Sequence, residues 1–265
     1  IINLTDDYVK GRITTTFDVD NSFIAKLLTG QLYVNVHTEN NGSGELRGQL
    51  QLEAPESFVG VLSGDAEVPS VETAASGLVS VHYTAGTNTL EINAQWDSLS
   101  SPITKAHFHV AAQGENGSSV FTLTDFIVGN TIKAKFPAGD YVEDMRNGNV
   151  YVNIHTENNG SGELRAQLSS TQGIIIDSWL TNDQEPHEVT VAQQGIGLGI
   201  FQIAPTLDTI HSSIQLSGQN PVTKAHLHGG VLGEGGSSII NFAEGISGNR
   251  ITGVHEIDQA LLSML

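Results

Sequence analysis

The stretch Val34–Arg47 reads Val-Asn-Val-His-Thr-Glu-Asn-Asn-Gly-Ser-Gly-Glu-Leu-Arg, and Val152–Arg165 repeats it 118 positions later with Ile154 as the only change. A second segment keeps nearly the same period: Thr104-Lys-Ala-His-Phe-His109 returns as Thr223-Lys-Ala-His-Leu-His228, 119 positions on. A chain written this way is a tandem repeat. Its period is close to the commonest size of a single domain, so a full repeat is long enough to bury its own core. Function must then be read per repeat.

Aligning the copies gives one complete unit, from Phe58 to Ser169, which opens on Leu62-Ser-Gly-Asp-Ala-Glu-Val-Pro69 and closes on Gly162-Glu-Leu-Arg-Ala-Gln-Leu168. Residues 1–52 match only the back of that unit and residues 174–265 only its front, where Asp183-Gln-Glu-Pro186 stands for the Glu-Val-Pro landmark. The chain thus starts and stops inside a repeat. Two arrangements would explain this: an excerpt of a longer array, or partial units completed between neighbouring molecules. Ile1-Ile2-Asn3 and Ile239-Ile240-Asn241 hold the same repeat position, so residues 1–28 duplicate about 239–265. A complementing pair would not need both, which favours the longer array.

Within the complete unit, short runs alternate apolar and polar residues, among them Gly77–Tyr83, Thr89–Trp96, Ala106–Val110, Thr131–Phe136, Val150–His155 and Glu163–Leu168. A period of two over many short segments predicts strands with one buried face, and turn signals such as Ala85-Gly-Thr-Asn88 and Asn158-Asn-Gly-Ser-Gly162 separate them as in a β-sandwich. Only Asp140–Asn147 reads as a helical turn or two. Composition agrees: charged residues make up 15% of the chain, there are 29 Gly, and Val, Ile and Thr abound.

A formal charge of −18, from 29 acidic against 11 basic side chains, argues against nucleic acid and anionic membranes as partners. It suits solubility outside cells, divalent cations, or a mineral or polysaccharide matrix. There is no Cys, so disulfides and thiolate metal sites are excluded. No apolar run approaches the ~18 residues of a membrane span, and Ile1 opens on strand-like sequence without a signal peptide.

Alternation puts Ala106, Phe108 and Val110 on one face of their strand and His107 and His109 together on the other. In the later strand Val150, Val152 and Ile154 take the buried face, leaving Tyr151, Asn153 and His155 opposite, and Glu163, Arg165 and Gln167 follow suit one strand on. If these strands are neighbours, three imidazoles converge. His-x-His on one strand with a third His from another suits Zn²⁺ or Cu²⁺, because neutral imidazole nitrogens match borderline metals. The competing reading is a hydrogen-bonded polar network on a sheet face. The same pattern makes His226, His228 and His37 candidate metal ligands in the partial repeats, each without a full set from its own unit.

The remaining histidines, His82, His187, His211 and His255, read as ordinary surface or packing residues. The Thr156–Glu163 loop and its copy Thr38–Glu45 offer oxygen ligands but lack the alternating Asp of an EF-hand, so a hairpin connection ranks ahead of calcium. Asp18 and Asp20 form a weak cation candidate, and Asn3, Asn41, Asn116 and Asn159 fit the glycosylation acceptor pattern. No nucleophile elbow, phosphate-cradling loop or distinctive carboxylate pair points to an enzyme.

Together, Leu62–Pro69, Ala106-His-Phe-His109 and the Asn153–Leu168 block resemble the three landmark blocks of the CHRD (chordin-type) domain family. The resemblance covers the whole complete unit, the back of a unit before it and the front of one after it, where Asp183–His187 departs from the pattern. It implies immunoglobulin-like antiparallel β-sandwiches or barrels, akin to copper–zinc superoxide dismutases, in an extracellular setting. The chain is therefore expected to be all-β, with tandem domains of about 118 residues at 1–52, 58–169 and 174–265. Its expected role is an extracellular structural or adhesive segment of a fibre or surface array, associating with itself or with neighbouring repeats, with a histidine metal site per repeat. The alternatives are a copper- or zinc-binding redox or sequestering protein, and a module that binds a protein ligand.

Overall fold

The computed structural model describes residues 8–9, 12–13, 16–28, 31–50, 55–185, 195–218, 221–230, 233–258 and 261. Ile1–Asn3, Pro186 and His187, which figured in the expectations above, lie outside the described residues. The chain divides into two compact units, residues 1–52 and 53–265.

In the first unit, β1 (Tyr8–Val9) pairs with β2 (Arg12–Ile13), helix α1 (Asn21–Leu28) follows, and β3 (Tyr33–Val36) pairs with β4 (Leu46–Gln49). Alternation alone did not foresee α1. Its start is set by Asp20, whose Oδ1 accepts the Phe23 amide and the Ser22 hydroxyl, both at 2.8 Å, and so satisfies a free helix-end donor. Asp20 is thus engaged as a helix cap, which accounts for one member of the Asp18/Asp20 pair.

In the second unit the complete repeat contributes β5 (Glu56–Ser63), β6 (Ser76–Thr84), β7 (Thr89–Asp97), β8 (Ile103–Val110), β9 (Ser118–Thr122), β10 (Ile127–Val128), β11 (Thr131–Pro137), α2 (Val142–Arg146), β12 (Val150–Thr156), β13 (Leu164–Gln167) and β14 (Ser169–Ser170). All strand pairs are antiparallel, in the order β10-β11-β7-β6-β5-β13-β12-β8-β9, with β14 also on β5. Contact between the two halves of this sheet is narrow, since β13 meets β5 at the single pair Arg165↔Ser63. There the sheet curls back on itself as a half-barrel. Phe58, Val81, Ile92 and Trp96 from one half then share a core with Phe108, Val152, Ile154 and Leu164 from the other, each of them fully buried. The all-β expectation holds, and α2 falls inside the helical turn read at 140–147.

One feature of β12 departs from simple alternation: all seven of its residues are buried, including Tyr151, Asn153 and His155 on the polar face. The segment after β5 covers that face. Glu67 of this segment accepts from Asn153, and Thr73 donates to Glu163 at 2.7 Å.

Residues from 174 onward form β15 (Ile174–Thr181), β16 (Ile196–Ile203), β17 (Thr209–Ser217), β18 (His226–His228), β19 (Ser238–Asn241), β20 (Ile246–Ser247) and β21 (Arg250–Glu256). The order β15-β16-β17-β21-β20 makes one sheet, with β18 and β19 as a separate pair. This sheet packs on the outer face of β5–β7, where Leu78, Leu198 and Ile200 meet Val59, Ile175 and Trp179. Polar contacts fix the fit: Asp177 accepts from His82 Nε2 at 2.8 Å, from Asn93 at 2.9 Å and from the Ser80 hydroxyl. His82, read above as a surface or packing residue, lies between Ser57 (2.8 Å) and Asp177. His255 packs edge-on against Phe242, while His211 is exposed. Among the described residues no helix is long and apolar enough to cross a membrane.

Candidate metal centre

β8 and β12 are direct neighbours, and their register sets Asn153 opposite His107 and Tyr151 opposite His109. Directly opposed residues share a face of the sheet. A register shift between His155 and Thr156 marks the end of regular pairing, just where the His155 ring joins the other two. The ring centroids lie 5.0 Å (His107–His155), 5.6 Å (His107–His109) and 6.2 Å (His109–His155) apart. One nitrogen from each ring falls within a 4.8 Å group, the one such cluster among the described residues.

Backbone carbonyls decide which nitrogens face inward. His109 Nδ1 lies 2.9 Å from the Gly117 carbonyl and His155 Nδ1 lies 3.1 Å from that of Gly160. A carbonyl oxygen only accepts, so each Nδ1 carries the proton and, in the neutral ring, each Nε2 is left with a lone pair. Burial disfavours the charged imidazolium and pulls His155 down to about 4, with smaller contributions from His107 and His109. Burial, and then the neighbouring His109, also lowers His107. His155 Nε2 sits 3.1 Å from His107 Nδ1, which donates to it. Among the described residues, His109 Nε2 is buried and has no hydrogen-bond partner.

The three rings are placed where they could hold a metal ion. His107 Nδ1 and His155 Nε2 stand 3.1 Å apart, a spacing at which both could reach one ion at the Zn–N length of about 2.0–2.1 Å once His107 carries its proton on Nε2 instead, and the carbonyl bonds are contacts of the kind that fix a ligating ring's tautomer. His107, His109 and His155 would hold a zinc or copper ion, which would bring Lewis acidity or, for copper, redox chemistry.

A further layer steadies the rings. Tyr151 stacks on His109 (4.9 Å, 14°), Arg165 lies 3.5 Å above Tyr151, and the Tyr151 hydroxyl accepts the Gly117 amide at 3.2 Å. Arg165 also donates to the carbonyls of Glu115 (2.8 Å) and Ala112 (3.2 Å), pinning the loop that presents Gly117. Only glycine fits at 117, because a Cβ there would lie 1.8 Å from the Val110 carbonyl oxygen. Alongside, the Glu67 carboxylate accepts from Asn153 at 3.1 and 3.2 Å, and burial pushes it up to about 7 against that hydrogen bond.

The Thr156–Glu163 loop, weighed above for calcium, uses its acid internally. Burial alone would raise Glu163, but bonds from Ser100, Thr156 and Thr73 outweigh it and hold the carboxyl at about 2. Both carboxylate oxygens are engaged, with Asn159 contributing as well.

Copies of these sequence motifs elsewhere in the chain show the same local geometry. In β18 the rings of His226 and His228 stand 5.6 Å apart at 74°, matching His107 and His109 at 5.6 Å and 77°, and His228 Nδ1 donates to the Gly236 carbonyl at 2.9 Å. His37 follows β3 and donates from Nδ1 to the Gly42 carbonyl at 3.0 Å, as His155 does to Gly160. Both His226 and His228 are exposed, and so is His37. The roles of Gly117, Gly160, Tyr151 and Glu67 were not read from the sequence. A trace of them existed, since the Gly after Asn116 and the Gly-Ser-Gly of the hairpin recur in every copy present.

No curated protein and no solved structure matches the chain. The family model described as the CHRD domain matches residues 1–50 and 58–168, so the chain belongs to the CHRD domain family.

Proposed function

We propose that this chain is part of an extracellular structural protein in which CHRD repeats are strung in series, associate through their sheet faces, and hold a copper or zinc ion in each assembled histidine site. CHRD domains occur in extracellular proteins, which supports the setting. Repetition with near-identical loops suits mechanical or multivalent use. The packing of the 174–258 sheet against the outer face of β5–β7 supports direct association between repeats. The observation that carries the metal reading is the convergence of one nitrogen from each of His107, His109 and His155 within 4.8 Å, with His109 Nε2 buried and without a hydrogen-bond partner among the described residues.

Titration of the metal-stripped chain with Zn²⁺ and Cu²⁺ by calorimetry tests this reading. Saturable binding that the His107→Ala/His109→Ala double variant loses is expected. Identical weak binding in both proteins would reduce the histidines to a polar network.

A further inference from the structure

A buried positive charge stands behind the three-histidine cluster. Tyr151 stacks on His109 with ring centres 4.9 Å apart and planes 14° from parallel, and the Arg165 guanidinium lies 3.5 Å from the centre of the Tyr151 ring. The guanidinium is therefore no farther from the His109 ring than those two lengths laid end to end. Arg165 is 1% exposed and Tyr151 2%. Among the described residues, the guanidinium bonds only to neutral acceptors, the Glu115 and Ala112 carbonyls and, at 2.8 Å, Gln167 Oε1, and it enters no ion pair. A buried charge ordinarily has a charged partner, so this one acts on its surroundings with little screening.

The ligand set brings no negative charge to answer it. One nitrogen from each of three imidazoles makes up the cluster, and no carboxylate belongs to it. Glu67, within range of Arg165, offsets part of the charge, but both its oxygens accept from Asn153. Lys105 adds a second positive charge opposite His155, exposed and screened by water. An ion held by these rings therefore keeps its whole formal charge, next to a fixed cation in a partly buried place. Repulsion grows in proportion to that charge, and burial penalises the higher charge as well. At a separation of ~10 Å and an effective dielectric of ~20, each unit of charge on the ion weakens its binding on the order of tenfold.

We propose that Arg165, set behind His109 by the stacked Tyr151, fixes the ion preference of the site, favouring monovalent copper over divalent copper and zinc. The proposal rests on the metal reading of His107, His109 and His155. Arg165 touches none of the ring nitrogens and works through its charge, which a guanidinium keeps throughout the working pH range. Its bonds to the Glu115 and Ala112 carbonyls also steady the loop that presents Gly117, and that role affects every ion alike. Only the charge separates one ion from another. The same pair recurs where the motif is first written, with Arg47 3.5 Å above Tyr33, so the stacked cation belongs to the repeat and not to one copy of it.

Affinities of the metal-stripped full chain for Cu⁺ and for Zn²⁺, each set by competition against a chelator, test this together with the reduction potential of the copper-loaded chain. Arg165→Gln is expected to lower the ratio of Cu⁺ to Zn²⁺ affinity about tenfold, and the copper potential by about 59 mV, the one-electron equivalent of that factor. Taking a ratio cancels any loss common to both ions, such as a loosened Gly117 loop would cause. Arg165→Lys, which keeps the charge but not the planar fork, should hold both values near those of the wild type. Where Arg165→Gln does not fold, Gln167→Glu gives Arg165 an acid partner instead, and the same fall in ratio and potential is expected. An unchanged ratio and potential in these uncharged or paired variants, or an equal fall in Arg165→Lys, would overturn the proposal and leave the histidine site standing. Binding of neither ion by the wild type would instead remove the metal reading on which it rests.

Discussion

His109 and Gly117 are joined by a 2.9 Å hydrogen bond from ring Nδ1 to the backbone carbonyl, and that bond makes Nε2 the lone-pair nitrogen beside His107 and His155. Since a Cβ at Gly117 would meet the Val110 carbonyl oxygen at 1.8 Å, Gly117→Ala must displace this carbonyl. A loss of about 10–100-fold in metal affinity is expected, the usual effect of removing an outer-shell partner. Competition titration against a chelator checks it, and unchanged affinity would detach the tautomer from metal binding.

Glu163 is fully buried and accepts hydrogen bonds from Thr73, Ser100, Thr156 and Asn159. Its carboxyl is held at about 2, below the ordinary value, so the stability it contributes is present above pH 4.5 and is lost as pH falls through 2. Glu163→Gln should cost about 2–4 kcal/mol at pH 7, because charge-assisted bonds weaken and one oxygen becomes a donor among donors. Urea unfolding at pH 7 measures it; a cost within experimental error would show that the loop does not depend on the carboxylate.

Glu67 and His155 shift in opposite directions. Glu67 is raised to about 7, so its contribution is complete below pH 4.5 and is lost as pH rises through 7. His155 is lowered to about 4 from 6.5, so its contribution is present above pH 6.5 and is lost as pH falls through 4. Between pH 4.5 and 6.5 the two slopes oppose, each amounting to no more than about 3 kcal/mol over its full range. Metal-stripped Glu67→Gln should therefore grow more stable as pH rises from 4.5 to 6.5, more steeply than the wild type. Parallel stability curves for the two proteins would refute this.

Asp177 ties β15 to β6 and β7 through His82, Asn93 and Ser80. Removing it leaves those donors buried without an acceptor, so Asp177→Ala should destabilise the contact between the two sheets by about 2–4 kcal/mol. Faster hydrogen exchange in β15–β17, with β8 and β12 unaffected, is the expected signature. Equal protection of β15–β17 in variant and wild type would show that the apolar contact alone holds them.

Alternation was enough to place Ala106 and Phe108 in the core and His107 and His109 opposite, because a strand with one buried face writes its orientation into a period of two. The same rule found Val152 and Ile154 but took Tyr151, Asn153 and His155 for an open face. Their burial comes from the segment carrying Glu67 and Thr73, a long-range covering that leaves no period behind. His82 was passed over for a similar reason, since its partner Asp177 lies 95 positions away in another repeat. The three-histidine cluster was therefore legible as a set of residues. Its tautomers were not, because they depend on carbonyls, which every residue has and no sequence distinguishes.

Metal content of the full chain purified without chelator, measured by elemental analysis beside His107→Ala/His109→Ala, tests the site most directly. Copper or zinc bound to the wild type, with about one equivalent per chain missing from the variant, is expected of a three-histidine site. Equal metal content in the two proteins, or none in either, would contradict it.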